Sequence, residues 1–255
     1  MPENLKVDKL EVEIYPDRLS MGSAAADMVC GQIIQLLKKQ EFVNMIFAAA
    51  PSQNEFLKSL IGRTDVDWEC INAFHMDEYI GLPENDPALF SSFLKRHLFE
   101  RLPFHTVNYI NGNAPDAQAE CERYTDMLVK HPPDIVCMGI GENGHIAFND
   151  PPVADFNDPM MVKVVELDAE CRQQQVNDGC FPGLNEVPTH AITLTIPALT
   201  ACKYIFCIVP GKNKAKAVYN TLNNGINEQC PASVLRRRPR AILFLDNESS
   251  SLLKY

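Results

Sequence analysis

Four apolar runs in this chain end directly on polar side chains that can do chemistry. Cys70–Met76 ends on Asp77 and Glu78. The run Ile135, Val136, Cys137, Met138 and Ile140 breaks into a turn with Gly139, Gly141 and Gly144, followed by His145, Asn149 and Asp150. Val43–Ala50 leads to Ser52 and Gln53, and Tyr204–Val209 leads through Pro210 and Gly211 to Lys212 and Lys214. Carboxylate, imidazole, hydroxyl and ammonium groups brought to one place would suit proton transfer on an anionic small molecule. The GIGENG segment has GxGxxG spacing, but it lies mid-chain and runs into HIAFND. A dinucleotide fingerprint would continue as an apolar helix.

These groups meet only if the apolar runs are parallel strands whose carboxyl ends share one edge. The intervening pattern supports this. A strand is expected at Val7–Tyr15, and Ser20 caps a helix running to about Gln40. Further helices are expected from near Pro51, over Ala88–Arg101, over Ala117–Lys130 and up to about Leu222. Val162–Leu167, Ala191–Ile196 and Ala241–Leu245 read as strands. Alternating strands and helices give an α/β protein with a mostly parallel open sheet covered by helices on both faces, Rossmann-like in outline. With no repeat or linker in sight, residues 1–255 are expected to form a single domain.

Composition narrows the function. The 255 residues carry a formal net charge of −10, which argues against nucleic acid as a partner. The basic run at Arg236–Arg238 and Arg240 reads as a solvated edge. No apolar stretch is long enough to cross a bilayer, and the N-terminus lacks a signal-peptide core, so a cytoplasmic location is expected. Nine cysteines without CxxC spacing read as free thiols in a reducing compartment rather than disulfides or a zinc site.

FHMDEYIGL (Phe74–Leu82) and GIGENGHIAFNDP (Gly139–Pro151) resemble the two signature segments of the glucosamine-6-phosphate deaminase/isomerase family. NGNAPD (Asn111–Asp116) and VPGKNKAKA (Val209–Ala217) also match it. The resemblance implies the fold of the deaminase/phosphogluconolactonase superfamily. It also implies deamination with aldose–ketose isomerisation of a 2-amino-2-deoxyhexose 6-phosphate, without metal or organic cofactor. Asp77 matches the base that shuttles a proton between C2 and C1, His145 the acid/base that opens the ring, and Asp150 the carboxylate that orients this histidine. Lys214 matches a phosphate-binding lysine. Ser52, Gln53, Glu78, Gly144 and Arg172 are further candidates for substrate or phosphate contacts. A sugar phosphate is the expected partner, and the resemblance allows a monomer or a homo-oligomer.

The chain also departs from the family pattern. Asn143 replaces an aspartate, so one carboxylate that would stabilise an imidazolium is gone, although it remains a catalytic candidate beside Glu142. Asp150 stands where glutamate is usual. Gln175 falls where a phosphate-binding arginine is expected, with Arg172 one helical turn away. Met161 and Val164 occupy two positions of the activator site found in regulated relatives. A kept proton-transfer core with an altered frame points to a divergent branch, with galactosamine 6-phosphate as an alternative to the gluco epimer. The rival readings are a 6-phosphogluconolactonase-like hydrolase and a non-catalytic sugar-phosphate-binding protein.

Overall fold

A computed structural model describes residues 3–253. The chain opens on an antiparallel hairpin of β1 (Glu3–Val7) and β2 (Leu10–Tyr15). The expected single strand over Val7–Tyr15 is therefore two. The break is at Asp8, whose φ of 54° suits a short polar residue that tolerates the left-handed region. There follow α1 (Arg18–Leu37), β3 (Val43–Phe47), α2 (Asn54–Ile61), β4 (Ile71–His75), β5 (Asp77–Tyr79), α3 (Phe90–Leu94), β6 (Thr106–Asn108), α4 (Ala117–Lys130) and β7 (Ile135–Met138). The remainder is β8 (Val162–Glu166), α5 (Ala169–Asn177), β9 (His190–Leu194), α6 (Ile196–Thr200), β10 (Tyr204–Val209), α7 (Ala215–Asn223) and β11 (Ala241–Asp246). Asp17, not Ser20, caps α1: its carboxylate accepts the Ser20 N–H at 2.8 Å. The helix expected over Ala88–Arg101 is α3 running on into a π-helical turn at Lys95–Phe99.

Eight strands form the main sheet in the order β1-β2-β11-β10-β7-β3-β4-β6, parallel from β2 onward. Its central strands read as continuous apolar runs because both faces are covered. Met45, Phe47, Ile135 and Cys137 pack with α1, α2 and α3, whereas Ile46, Phe74, Val136 and Met138 pack with α4 and α7 on the other side. Alternation of side chains along each strand thus divides one apolar run between two cores. Val162–Leu167 and Ala191–Ile196 do not join this sheet. As β8 and β9 they pair antiparallel and take in β5, forming a second sheet ordered β5-β9-β8.

From β3 the chain moves outward to β4 and β6, whereas from β7 it moves the other way to β10 and β11. The crevice between the carboxyl ends of β3 and β7 is therefore the topological switch point, where open α/β sheets bind ligands.

The basic run is absorbed by the fold. Arg236 pairs with Asp8, Arg238 donates to Thr200 Oγ1, and Arg237 and Arg240 lie over the rings of Phe156 and Tyr204. No described helix is long and apolar enough to cross a membrane.

Candidate active site

A cavity of about 430 Å³ opens at the switch point. Ser52, Gln53, Asp77, His145 and Lys214 all line it. Each arrives from the carboxyl end of a strand: β3, β4, β7 and β10 in turn.

Asp77 begins β5, just past the end of β4, and is 6% exposed. Burial pushes its carboxyl well above the usual carboxylate range, and the neighbouring Glu78 charge adds to this. A carboxyl whose pKa is raised in this way is a stronger base once ionised, which suits it to take and return a proton.

Glu78, expected at the substrate, faces away. Consecutive residues of a strand point to opposite sides, so β5 sends Glu78 to the start of α3. There its oxygens accept the N–H groups of Tyr79, Phe90 and Ser91 at 2.8–3.0 Å. It anchors a helix whose next residues, Phe90, Phe93 and Arg96, line the cavity at a spacing of three.

The glycine turn shapes the place of His145. Gly141 N donates to His145 O at 2.9 Å, and a Cβ on Gly141 would clash with the imidazole, 2.1–2.4 Å from three of its ring atoms. Only glycine lets the ring lie this close to the backbone. His145 Nδ1 lies 2.8 Å from Asp150 Oδ1, leaving Nε2 for a ligand. Burial opposes ionisation of Asp150. The charge of His145 and hydrogen bonds from His145 and Asn143 outweigh it and hold the carboxyl below its ordinary value.

Asn143 is not in the cavity. Its Nδ2 donates to Asp150 Oδ1 at 2.8 Å, and its Oδ1 accepts His145 N at 3.0 Å. It braces the pair from behind. Glu142 is engaged elsewhere: its carboxylate accepts from Asn213 Nδ2 and its N–H donates to Gln174 Oε1. Gly144 does not line the cavity either. It takes φ 91°, and a Cβ there would meet Cys230 Sγ at 2.7 Å, so it makes the turn and packs against the segment that follows α7.

Lys214 is 4% exposed and lines the cavity. Burial lowers its pKa, while Asp178 and Glu142 draw it back. Its ammonium forms no ion pair within 4.0 Å among the described residues. A buried cation so placed is a natural anchor for an anion.

Arg172 does not line the cavity. Its guanidinium donates to Leu184 O at 2.6 Å and Val187 O at 2.9 Å, closing the loop after α5. The neighbouring Gln174, Gln175 and Asp178 reach the cavity instead. Arg96, which the sequence reading missed, brings a cation to the rim. The spacing Phe90-Phe93-Arg96 is the signal that could have found it.

A family model described as glucosamine-6-phosphate isomerases/6-phosphogluconolactonase matches residues 16–243. The chain belongs to this family. A glucosamine-6-phosphate deaminase of Listeria monocytogenes serotype 4a is 38% identical over 211 residues, which cover 83% of this chain and 88% of that protein. One from Streptococcus sanguinis is 34% identical over 225 residues, covering 87% and 93%. Among solved structures, a monomeric glucosamine-6-phosphate deaminase is similar with a TM-score of 0.86 and 29% identity, covering 95% of this chain and 99% of that one. The 6-phosphogluconolactonase of Thermotoga maritima shares the fold at a TM-score of 0.76 and 18% identity, over 93% and 100%. Membership makes the chain an enzyme, and the shared fold matches the α/β architecture expected from the strand–helix alternation.

Proposed function

We propose that the protein converts a 2-amino-2-deoxyhexose 6-phosphate to the corresponding ketohexose 6-phosphate and ammonia. The observation that carries this reading is the convergence of Asp77, His145 and Lys214 on one cavity. The names of the relatives support the same chemistry.

In this reading Lys214 and Ser52 hold the 6-phosphate, Lys214 as a point charge in a dry setting, with Arg96 at the rim. His145 Nε2 takes the proton from the anomeric hydroxyl and returns it to the ring oxygen, which opens the sugar. Asp150, braced by Asn143, keeps the imidazole oriented. Asp77 then removes the C2 proton and delivers it to C1. The resulting C2 imine takes up water and releases ammonia. The ammonium of the substrate opposes the burial that raises the Asp77 pKa, and so favours the carboxylate when the sugar is present.

Gln174, Gln175 and Asp178 offer hydroxyl-binding groups in place of a second deep cation. They are the residues through which this branch would choose between gluco and galacto epimers. The test is a panel of glucosamine 6-phosphate, galactosamine 6-phosphate and the plain hexose 6-phosphates, scored for ammonia and for ketose. Stoichiometric ammonia and ketose from an amino sugar is the expected result. Hydrolysis of 6-phosphogluconolactone to its acid, or binding without turnover, would overturn the proposal.

A further inference from the structure

Behind the imidazole, three metal-ligating side chains meet. His145 Nδ1, an Asp150 carboxylate oxygen and Cys171 Sγ lie within 4.8 Å of one another. His145 is 8% exposed, and Asp150 and Cys171 are 1% exposed. His145 Nδ1 lies 2.8 Å from Asp150 Oδ1, and the Cys171 thiol is hydrogen-bonded to the same carboxylate, so the three donor groups already face one another.

We propose that His145, Asp150 and Cys171 form a site for a divalent cation of the zinc class, and that its occupation blocks the enzyme. Imidazole, carboxylate and thiolate are the donor set that zinc and cobalt prefer, whereas calcium and magnesium want oxygen alone. The charges also balance: one carboxylate and one thiolate neutralise the dication, so the buried site carries no net charge. Cys171 comes from the start of α5, beyond both signature segments, which is why the spacing of the cysteines concealed it.

The protons are accounted for. A cysteine thiol ordinarily holds its proton at neutral pH. The cation therefore breaks the Cys171 S–H bond, forms a metal–sulfur bond and sends one proton to solvent. The imidazole stays neutral with its proton moved from Nδ1 to Nε2. A ring bound through Nδ1 and protonated on Nε2 cannot accept the proton that ring opening requires. This consequence for turnover rests on the proposed function, but the binding itself does not.

Cobalt titration of the whole protein tests the site without reference to any substrate. Wild type is expected to bind one cobalt ion with a near-ultraviolet thiolate-to-cobalt band and release of one proton. Cys180→Ser, which alters a thiol lining the cavity outside the cluster, should keep the band, and Cys171→Ser should lose it while unfolding cooperatively like the parent. His145→Gln retains the thiol and should bind cobalt at least about tenfold more weakly. Absence of the band in wild type, its survival in Cys171→Ser, or unchanged affinity in His145→Gln would overturn the site. Turnover that persists with stoichiometric zinc bound would overturn the block, and a protein inactive on every sugar but showing the band would overturn only the proposed function.

Discussion

Asp77 and Thr193 stand opposite each other in the β5–β9 ladder, and Thr193 Oγ1 accepts the Phe148 N–H at 3.1 Å. The strand that carries the proposed base and the loop that carries His145 thus hang from one buried threonine. The next residue reinforces this, since Asn149 Nδ2 donates to Leu194 O at 2.8 Å. The second sheet is small, but both Asp77 and the loop of His145 are attached to it.

Thr193→Val keeps the shape and removes the acceptor. A buried N–H is then unpaired, at a cost of about 1–3 kcal/mol, and the loop loses its tie to β9. Denaturant unfolding should report that loss, and kcat should fall by about 10- to 100-fold, as expected for a displacement of the reacting groups of order 1 Å. Wild-type kcat in a destabilised variant would mean that the loop is positioned without Thr193.

Asp77→Asn separates function from stability. Turnover should fall at least about 10²–10⁴-fold, because the amide has no basicity to shuttle a proton. Stability should move the other way. The folded protein holds a proton on Asp77 that the unfolded chain gives up above the ordinary value of 3.8. Wild-type stability therefore declines as pH rises from there towards the raised folded value, by about 1.4 kcal/mol for each unit of separation. The variant escapes this decline, so it should be the more stable protein at neutral pH and match wild type below about pH 4. Unfolding curves across pH decide it: a variant less stable than wild type at pH 7 contradicts the burial argument.

The sequence made the main sheet legible because its signals are strong. β10 and α4 lie within the stretches expected for them, the first a dry apolar run, the second opened by Asp116, whose carboxylate accepts two N–H groups. β5 and β6 were not legible, being only three residues each. The sequence AECRQQQVN of α5 has no apolar stripe to announce a helix. The same divide runs through the site. Ser52, Gln53, Asp77, His145 and Lys214 follow strand ends, and topology alone brings them together. Glu78, Asn143 and Gly144 sit beside such residues in the chain, but strand alternation or a turn directs them elsewhere, and Arg172 on α5 is engaged by the loop that follows its helix. Arg96 and Gln174 come from helical turns whose faces are settled only by packing, and Asp178 from the residue just past α5.

Lys214 and Glu78 should respond oppositely to substitution. Lys214→Ala removes a point charge from the cavity, so KM for a phosphorylated sugar should rise about tenfold or more while thermal unfolding changes little. Glu78→Ala strips three N–H groups of their acceptor and should destabilise the fold by roughly 1–3 kcal/mol or more, with a smaller effect on KM. A KM effect confined to Glu78→Ala would place the anion on the other side of β5.

The last prediction concerns regulation. Met161 and Val164 replace the activator-binding groups implied by the family resemblance. Val164 lies on β8, an outer strand of the second sheet, and is 36% exposed. The nearest cation on that strand, Lys163, is already committed: its ammonium donates to Asp158 Oδ2 and Val153 O, each at 2.8 Å. A methionine and a valine cannot make charge-assisted hydrogen bonds to phosphate. An effector shifts a two-state equilibrium only by its differential affinity for the two states, and here the contacts that would supply it are missing. Initial rates should therefore saturate hyperbolically, with no activation by N-acetylglucosamine 6-phosphate. A sigmoidal curve that the acetylated sugar phosphate converts to a hyperbola would show that an activator site exists elsewhere on the protein.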